Sequence, residues 1–310
     1  MQRLKYGHEG DQSKRETVQL RDIQKKLPLR VLSDEDWRHW TTWGYVVVRQ
    51  AASPENVERL KAALWEFEEM DPSDPSTWGR DDRRANDLAV LNHSGMVEMY
   101  NHQALWDNRQ TQRVYDAYVD IWDREDLWVT IDRANLNTPN VGARSFGGFL
   151  HWDSDTSMRP LPVNVQGVLA LTDTDEEVGG FQCAPRIFRD FEEWLKTQPE
   201  DRNPAEPDIA DEEVRFVPMH AGDLLIFNTL LAHGIRPNRS KDRVRMAQYL
   251  AMYPADTDEA LRAERVRLWR EREAPKGLAF PGDPRGKEKE NPVAELNELG
   301  QRLLGAKTWA

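Results

Sequence analysis

AGDLLIFNTLLAHGIRPNRSKDRVRMAQY, residues 221–249, is the stretch on which the fold turns. Gly222-Asp223 reads as a tight turn, and Leu224 to Phe227 as a short buried strand. His233 stands near the start of another short strand, ahead of the loop at Pro237-Asn238. Arg243, Arg245, Ala247 and Tyr249 then alternate along one face of a further strand. Strands this short, separated by Gly, Pro, Asn and Asp, recur from Phe149 to Tyr253 and predict an all-β core.

Upstream of that stretch lies His151-Trp152-Asp153. Residues i and i+2 of a strand point to the same side, so His151 and Asp153 can enter one cavity. His233, eighty positions beyond Asp153, would complete a set of two histidines and one carboxylate. Such a set holds a metal by one face and leaves neighbouring positions open, which suits non-haem Fe(II) chemistry. Arg245, twelve residues past His233, can bring a planar, permanently charged fork to the same cavity, as a dicarboxylate requires. Trp152, between the two ligands, should point away from them.

Taken in order, these residues resemble the phytanoyl-CoA dioxygenase family of Fe(II)/2-oxoglutarate oxygenases. The resemblance begins at Gly44-Tyr45-Val46-Val47-Val48 and passes through His151-Trp152-Asp153 and Val165 to Asp173. It continues with Gly179-Gly180-Phe181, Pro185, Gly222-Asp223, His233-Gly234, Asn238 and Arg245, and spans Leu32 to Tyr253. It implies a mainly β fold with flanking helices, built on a double-stranded β-helix (jelly-roll, cupin-like) core. It also implies Fe(II) held by His151, Asp153 and His233, with Arg245 on the C5 carboxylate of 2-oxoglutarate. O2 would be the oxidant, and hydroxylation of a small-molecule C–H bond would release succinate and CO2.

Gln166, on the strand after the metal motif, and Asn135 and Asn137, on the strand before it, are further candidates for the cosubstrate. Three departures from the family pattern stand out. Pro185-Arg186-Ile187-Phe188 replaces the frequent Pro-Gly-Ser-His, and Ile235 takes the place of a small hydroxyl residue. The segment from Asn238 to Arg245 is one residue longer than the family pattern, which keeps Arg243 as a rival anchor. Asp153 stands where related halogenases carry a small residue, so hydroxylation is expected over halogenation. Desaturation, ring formation and epimerisation remain open. A zinc hydrolase using the same three ligands and a non-catalytic cupin-like binding protein are the alternatives.

The chain has 310 residues, enough for a substantial core. Its 42 basic and 54 acidic side chains leave a net charge of −12, spread along the sequence. That argues against nucleic acid and against anionic membrane surfaces as partners. No apolar run approaches the roughly 20 residues of a membrane-spanning helix, and Met1 to Glu16 lacks the apolar segment of a signal peptide. Cys183, the single cysteine, is expected to be a buried thiol in a cytoplasmic protein.

Three regions are expected: a flexible N-terminal arm over 1–30, the oxygenase domain over 31–254, and a helical C-terminal extension over 255–310. Helices are predicted from Ser33-Asp34-Glu35-Asp36 onward, over Ser53–Glu69, 103–125, Phe188–Thr197, Asp256–Arg272 and Val293–Leu304. Leu127 to Asn137 reads as one strand. Residues 71–95, with the Arg80 to Arg84 cluster, read as a loop near the site mouth, and 200–213 as an acidic excursion. Trp37, Trp40, Trp43 and Trp65 are assigned to helix packing. His39, His93, His102 and His220 are read as surface histidines, and Arg133, Arg144 and Arg159 as exposed charges. The oligomeric state is not legible.

Overall fold

The computed structural model describes residues 18–78, 94–140, 148–209, 214–277 and 280–309. Its larger sheet has the order β1 (Tyr45–Val48), β9 (Leu224–Asn228), β6 (Val165–Ala170), β11 (Arg245–Tyr249), β4 (Ala134–Asn137), β2 (Met96–Val97). The smaller runs β5 (Phe149–His151), β10 (His233–Arg236), β7 (Gly180–Cys183), β8 (Arg215–Phe216). A separate ribbon pairs β3 (Leu127–Val129) with β12 (Met252–Pro254). Every pairing is antiparallel, and strands distant in sequence alternate in space. This is the all-β core that the alternation predicts, in the jelly-roll form that the resemblance implies.

Register decides which side chains look inward. Tyr45, Phe227 and Gln166 form one row across the larger sheet, and Ala170, Ala247 and Asn135 another. Paired residues share a face. Tyr45, Ala170, Leu225 and Phe227 pack there with Phe181 and Cys183 of the smaller sheet. The alternate residues, Val46, Val48, Leu224, Ile226, Val165 and Leu169, turn outward into the larger core shared with the helices.

Those helices begin where local chemistry starts them. Ser33 and Asp36 form a reciprocal capping box for α1 (Asp34–Trp43), which ends at Gly44 in the left-handed region at φ +79°. A Cβ on Gly44 would meet the Phe188 ring at 2.8 Å. Ser53 caps α2 (Pro54–Phe67), with Pro54 in the first turn, where no N–H is needed. Its buried stripe, Val57, Leu60, Leu64 and Phe67, covers the outer face of the sheet.

Elsewhere the sequence pattern runs on where the chain breaks. The helix expected over 103–125 is two, α3 (Gln103–Arg109) and α4 (Gln112–Trp122). The strand expected over Leu127–Asn137 is β3 and β4, in different sheets, with the buried Arg109 guanidinium holding the Asp132 carbonyl between them. Phe188–Thr197 divides into α5 (Pro185–Arg189) and α6 (Phe191–Lys196). Toward the C-terminus, α7 spans Glu259–Glu271, and α8 is confined to Glu298–Leu304 by its Asn297 cap.

Residues 1–17 of the expected arm lie outside the described residues. Residues 18–30 are laid against the body, where Lys26 and Leu27 donate backbone N–H bonds of 2.8 Å to the Asp123 carboxylate. Leu268, Phe280, Ala294, Leu303 and Leu304 of the C-terminal part join the main core. No described helix is long and apolar enough to cross a membrane.

Candidate metal centre

His151 and His233 sit directly opposite each other on β5 and β10. Between them Gly234 permits the strands to approach, since a Cβ there would meet the Phe149 carbonyl oxygen at 1.8 Å. Asp153 follows just past the end of β5. Trp152 turns the other way, donating its indole N–H to the Leu230 carbonyl at 2.9 Å and packing edge-on against Phe191 and Trp194.

Ligand-capable atoms of His151, Asp153 and His233 all lie within 4.8 Å of one another. His151 Nε2 is 2.9 Å from Asp153 Oδ1, and His233 Nε2 is 3.4 Å from Oδ2. The His233 ring is fixed by three neighbours. Its Nδ1–H donates to the Leu231 carbonyl at 3.0 Å, while Phe227 and Phe181 lie 4.4 and 5.9 Å from it, centroid to centroid. With its proton committed to Leu231, neutral His233 presents an Nε2 lone pair toward a carboxylate. Burial pushes the His233 pKa down, against the pull of Asp153, and so favours that neutral form. Converging lone pairs in a largely dry site fit a cation, and the donor set suits iron.

Arg245 is 4 % exposed at the start of β11, paired with Asn137 of β4. Its Nη1 donates to the Arg236 carbonyl at 3.0 Å, and it makes no carboxylate ion pair among the described residues. Burial pulls its guanidinium down to about 10, with Tyr249 opposing, so it remains charged at neutral pH. Arg243 is elsewhere. Its exposed guanidinium is held by Asp175 at 2.7 and 3.1 Å and by Glu177 at 2.7 Å. The two arginines therefore do not share the face that alternation suggests, because Arg243 precedes the strand.

Asn135 and Asn137 face inward with their amide N–H groups on the Ser94 carbonyl, at 2.6 and 3.4 Å, and their buried Oδ1 atoms have no hydrogen-bond partner among the described residues. Gln166 sends its amide to Asp153 Oδ2 at 2.8 Å, a contact that sequence reading missed. Its inward place was legible from strand alternation, but its partner was not.

Arg133, expected at the surface, is 7 % exposed and lies 3.7 Å from Glu98, with its guanidinium over the Phe280 ring. Arg159 is exposed and bonded locally to the Met158 carbonyl. His220 is exposed, 3.5 Å from Asp173 and apart from the triad. His102 caps α3 by accepting from the Ala104 N–H, and His39 packs edge-on against Tyr45. His93, Arg144 and the Arg80 to Arg84 cluster lie outside the described residues. Cys183 is the expected buried thiol, its pKa pushed up to about 12 by burial.

Residues 40–247 match the family model described as phytanoyl-CoA dioxygenase. A Dictyostelium discoideum protein described as a phytanoyl-CoA dioxygenase is 23 % identical over 71 % of this chain and 75 % of its own length. Among solved structures, a Salmonella typhimurium LT2 protein described as an oxidoreductase superposes with a TM-score of 0.66 at 16 % identity. It covers 88 % of this chain and 83 % of that one. The epimerase SnoN, crystallised with Fe3+, 2-oxoglutarate and nogalamycin RO, gives 0.50 at 16 % identity over 72 % and 83 %.

Proposed function

This chain belongs to the phytanoyl-CoA dioxygenase family and is an Fe(II)/2-oxoglutarate-dependent oxygenase; from that premise we propose that His151, Asp153 and His233 hold the iron and Arg245 the cosubstrate. The observation that carries the proposal is the pairing of two incomplete sites, one at the smaller sheet and one on the inner face of the larger sheet. One is a converging His-Asp-His set, and the other a buried guanidinium with, among the described residues, one hydrogen bond and no carboxylate. Iron with 2-oxoglutarate supplies the power to oxidise a substrate C–H bond with O2, releasing succinate and CO2. The protein residues set the stage. Arg245 offers two parallel N–H donors to the distal carboxylate, and Asn137 borders the same end of the pocket. The Leu231 carbonyl fixes the His233 tautomer, and Phe181 and Phe227 keep water from that ring.

Arg243 is set aside as the anchor, since its charge is already met at the surface. The substrate we propose is a small molecule, and the reaction its hydroxylation. The net charge of −12 does not favour a polyphosphate-bearing carrier. A reducing, cytoplasmic setting suits both Fe(II) and the single thiol. We also retain 31–254 as the catalytic unit, flanked by the N-terminal arm and the C-terminal extension.

Anaerobic addition of Fe(II) and then 2-oxoglutarate to metal-free protein tests the assignment. A weak visible charge-transfer band is expected, and Arg245→Ala should lose it. Asp153→Ala should abolish succinate formation, and retained turnover in that variant would sink the triad assignment.

A further inference from the structure

Asp153 is the least anchored member of the triad by backbone. His151 and His233 belong to paired strands, whereas Asp153 lies in the loop past β5. Gln166 belongs to β6, a central strand hydrogen-bonded on both sides. From the row Tyr45–Phe227–Gln166 its amide reaches from the larger sheet to the loop after β5 and donates from Nε2 to Asp153 Oδ2 at 2.8 Å. A carboxylate can only accept, so the NH2 end of the amide is the end that faces it. We propose that Gln166 is a positioning residue for Asp153: its hydrogen bond to Oδ2 holds the carboxylate in its orientation toward the two histidines. A rigid strand thereby lends its order to a ligand carried on a loop. This inference rests on the reading of His151, Asp153 and His233 as metal ligands, and it takes Gln166 out of the set of cosubstrate contacts.

The test titrates metal-free wild type, Gln166→Met, Gln166→Asn and Asp153→Ala anaerobically with Co(II), followed by d–d absorption, and then with 2-oxoglutarate. Thermal melts of the metal-free proteins run alongside. Gln166→Met keeps the length and removes the donor. It should bind Co(II) about 10–100-fold more weakly than wild type, with an altered d–d spectrum and an unchanged melt. Gln166→Asn, whose amide falls one methylene short, should lose affinity as well and stands in if the Met variant does not fold. Wild-type Co(II) affinity and spectrum in the Gln166 variants, with binding lost in Asp153→Ala, overturns the positioning role and leaves the triad standing. Wild-type affinity in Asp153→Ala as well means that the triad reading itself has failed. Weakened 2-oxoglutarate binding with unchanged Co(II) binding also overturns the proposal, by returning Gln166 to the cosubstrate.

Discussion

Arg265 and Arg245 are both buried, and the fold treats them in opposite ways. Arg265, on α7 in the C-terminal corner, is 0 % exposed. Its Nε reaches the Leu304 carbonyl at 3.1 Å, Nη1 the Tyr253 hydroxyl at 2.6 Å, and Nη2 the Val129 and Leu303 carbonyls at 2.5 and 3.2 Å. Trp128 lies under its face at 5.0 Å. Arg245, on the inner face of the sandwich, has among the described residues the single side-chain bond to Arg236. Burying a guanidinium is costly unless its donors are met. A cation completed by the chain is structural, whereas one left incomplete among the described residues suits the ligand-holding role proposed for Arg245.

The largest effect expected from this contrast is on stability in the C-terminal corner. Arg265→Met removes the donors from four oxygens drawn from β3, β12 and the end of α8, leaving buried acceptors unmet. A loss on the order of 3–5 kcal/mol in urea unfolding is expected, with activity per folded molecule unchanged. A near-neutral result would mean that the corner relaxes around the gap, and the contrast with Arg245 would lose one side.

Arg245→Met should do the reverse. The metal-free variant should melt no lower than wild type, because the substitution removes a buried charge that meets no carboxylate among the described residues. Its affinity for 2-oxoglutarate should fall by about 100-fold, the scale of losing a buried bidentate charge pair. The two effects combine in one measurement. Added 2-oxoglutarate should raise the melting temperature of iron-loaded wild type by mass action and leave the variant unmoved. A variant that melts well below wild type and still responds to 2-oxoglutarate would make Arg245 a second Arg265.

Much of this was legible in local sequence. Strand alternation from Phe149 to Tyr253 showed an all-β core, the resemblance implied its jelly-roll form, and the i, i+2 spacing brought His151 toward Asp153. What escaped was set by partners remote in sequence. Arg133 looks like a surface charge until Glu98 and Phe280, from two other segments, close over it. The run Leu127–Asn137 is apolar enough to read as one strand. The chain is nevertheless diverted between Thr130, whose N–H goes to the Ala251 carbonyl, and Asp132, held by Arg109. Gln166 likewise announces its direction by alternation but not its partner. Periodicity reports a face, and only packing reports who stands opposite.

The smallest effect is the one that separates Arg245 from its neighbour. Arg243 is two residues away and equally charged, so sequence spacing alone left both in play. The turn between β10 and β11 decides between them. Asn238 Nδ2 and Ser240 Oγ both donate to the Arg243 carbonyl, at 2.7 and 2.8 Å, and Asn238 Oδ1 accepts from Ser240. This clamp holds residue 243 outside the strand, where its side chain meets Asp175 and Glu177 in solvent. Exposed pairs of this kind contribute little, because water and salt screen them. Arg243→Ala should therefore leave 2-oxoglutarate affinity and the melting temperature as they are in wild type, measured beside Arg245→Met under the same conditions. A fall in 2-oxoglutarate affinity confined to Arg243→Ala would exchange the two assignments, since the anchor would then be a residue whose charge the chain had already met.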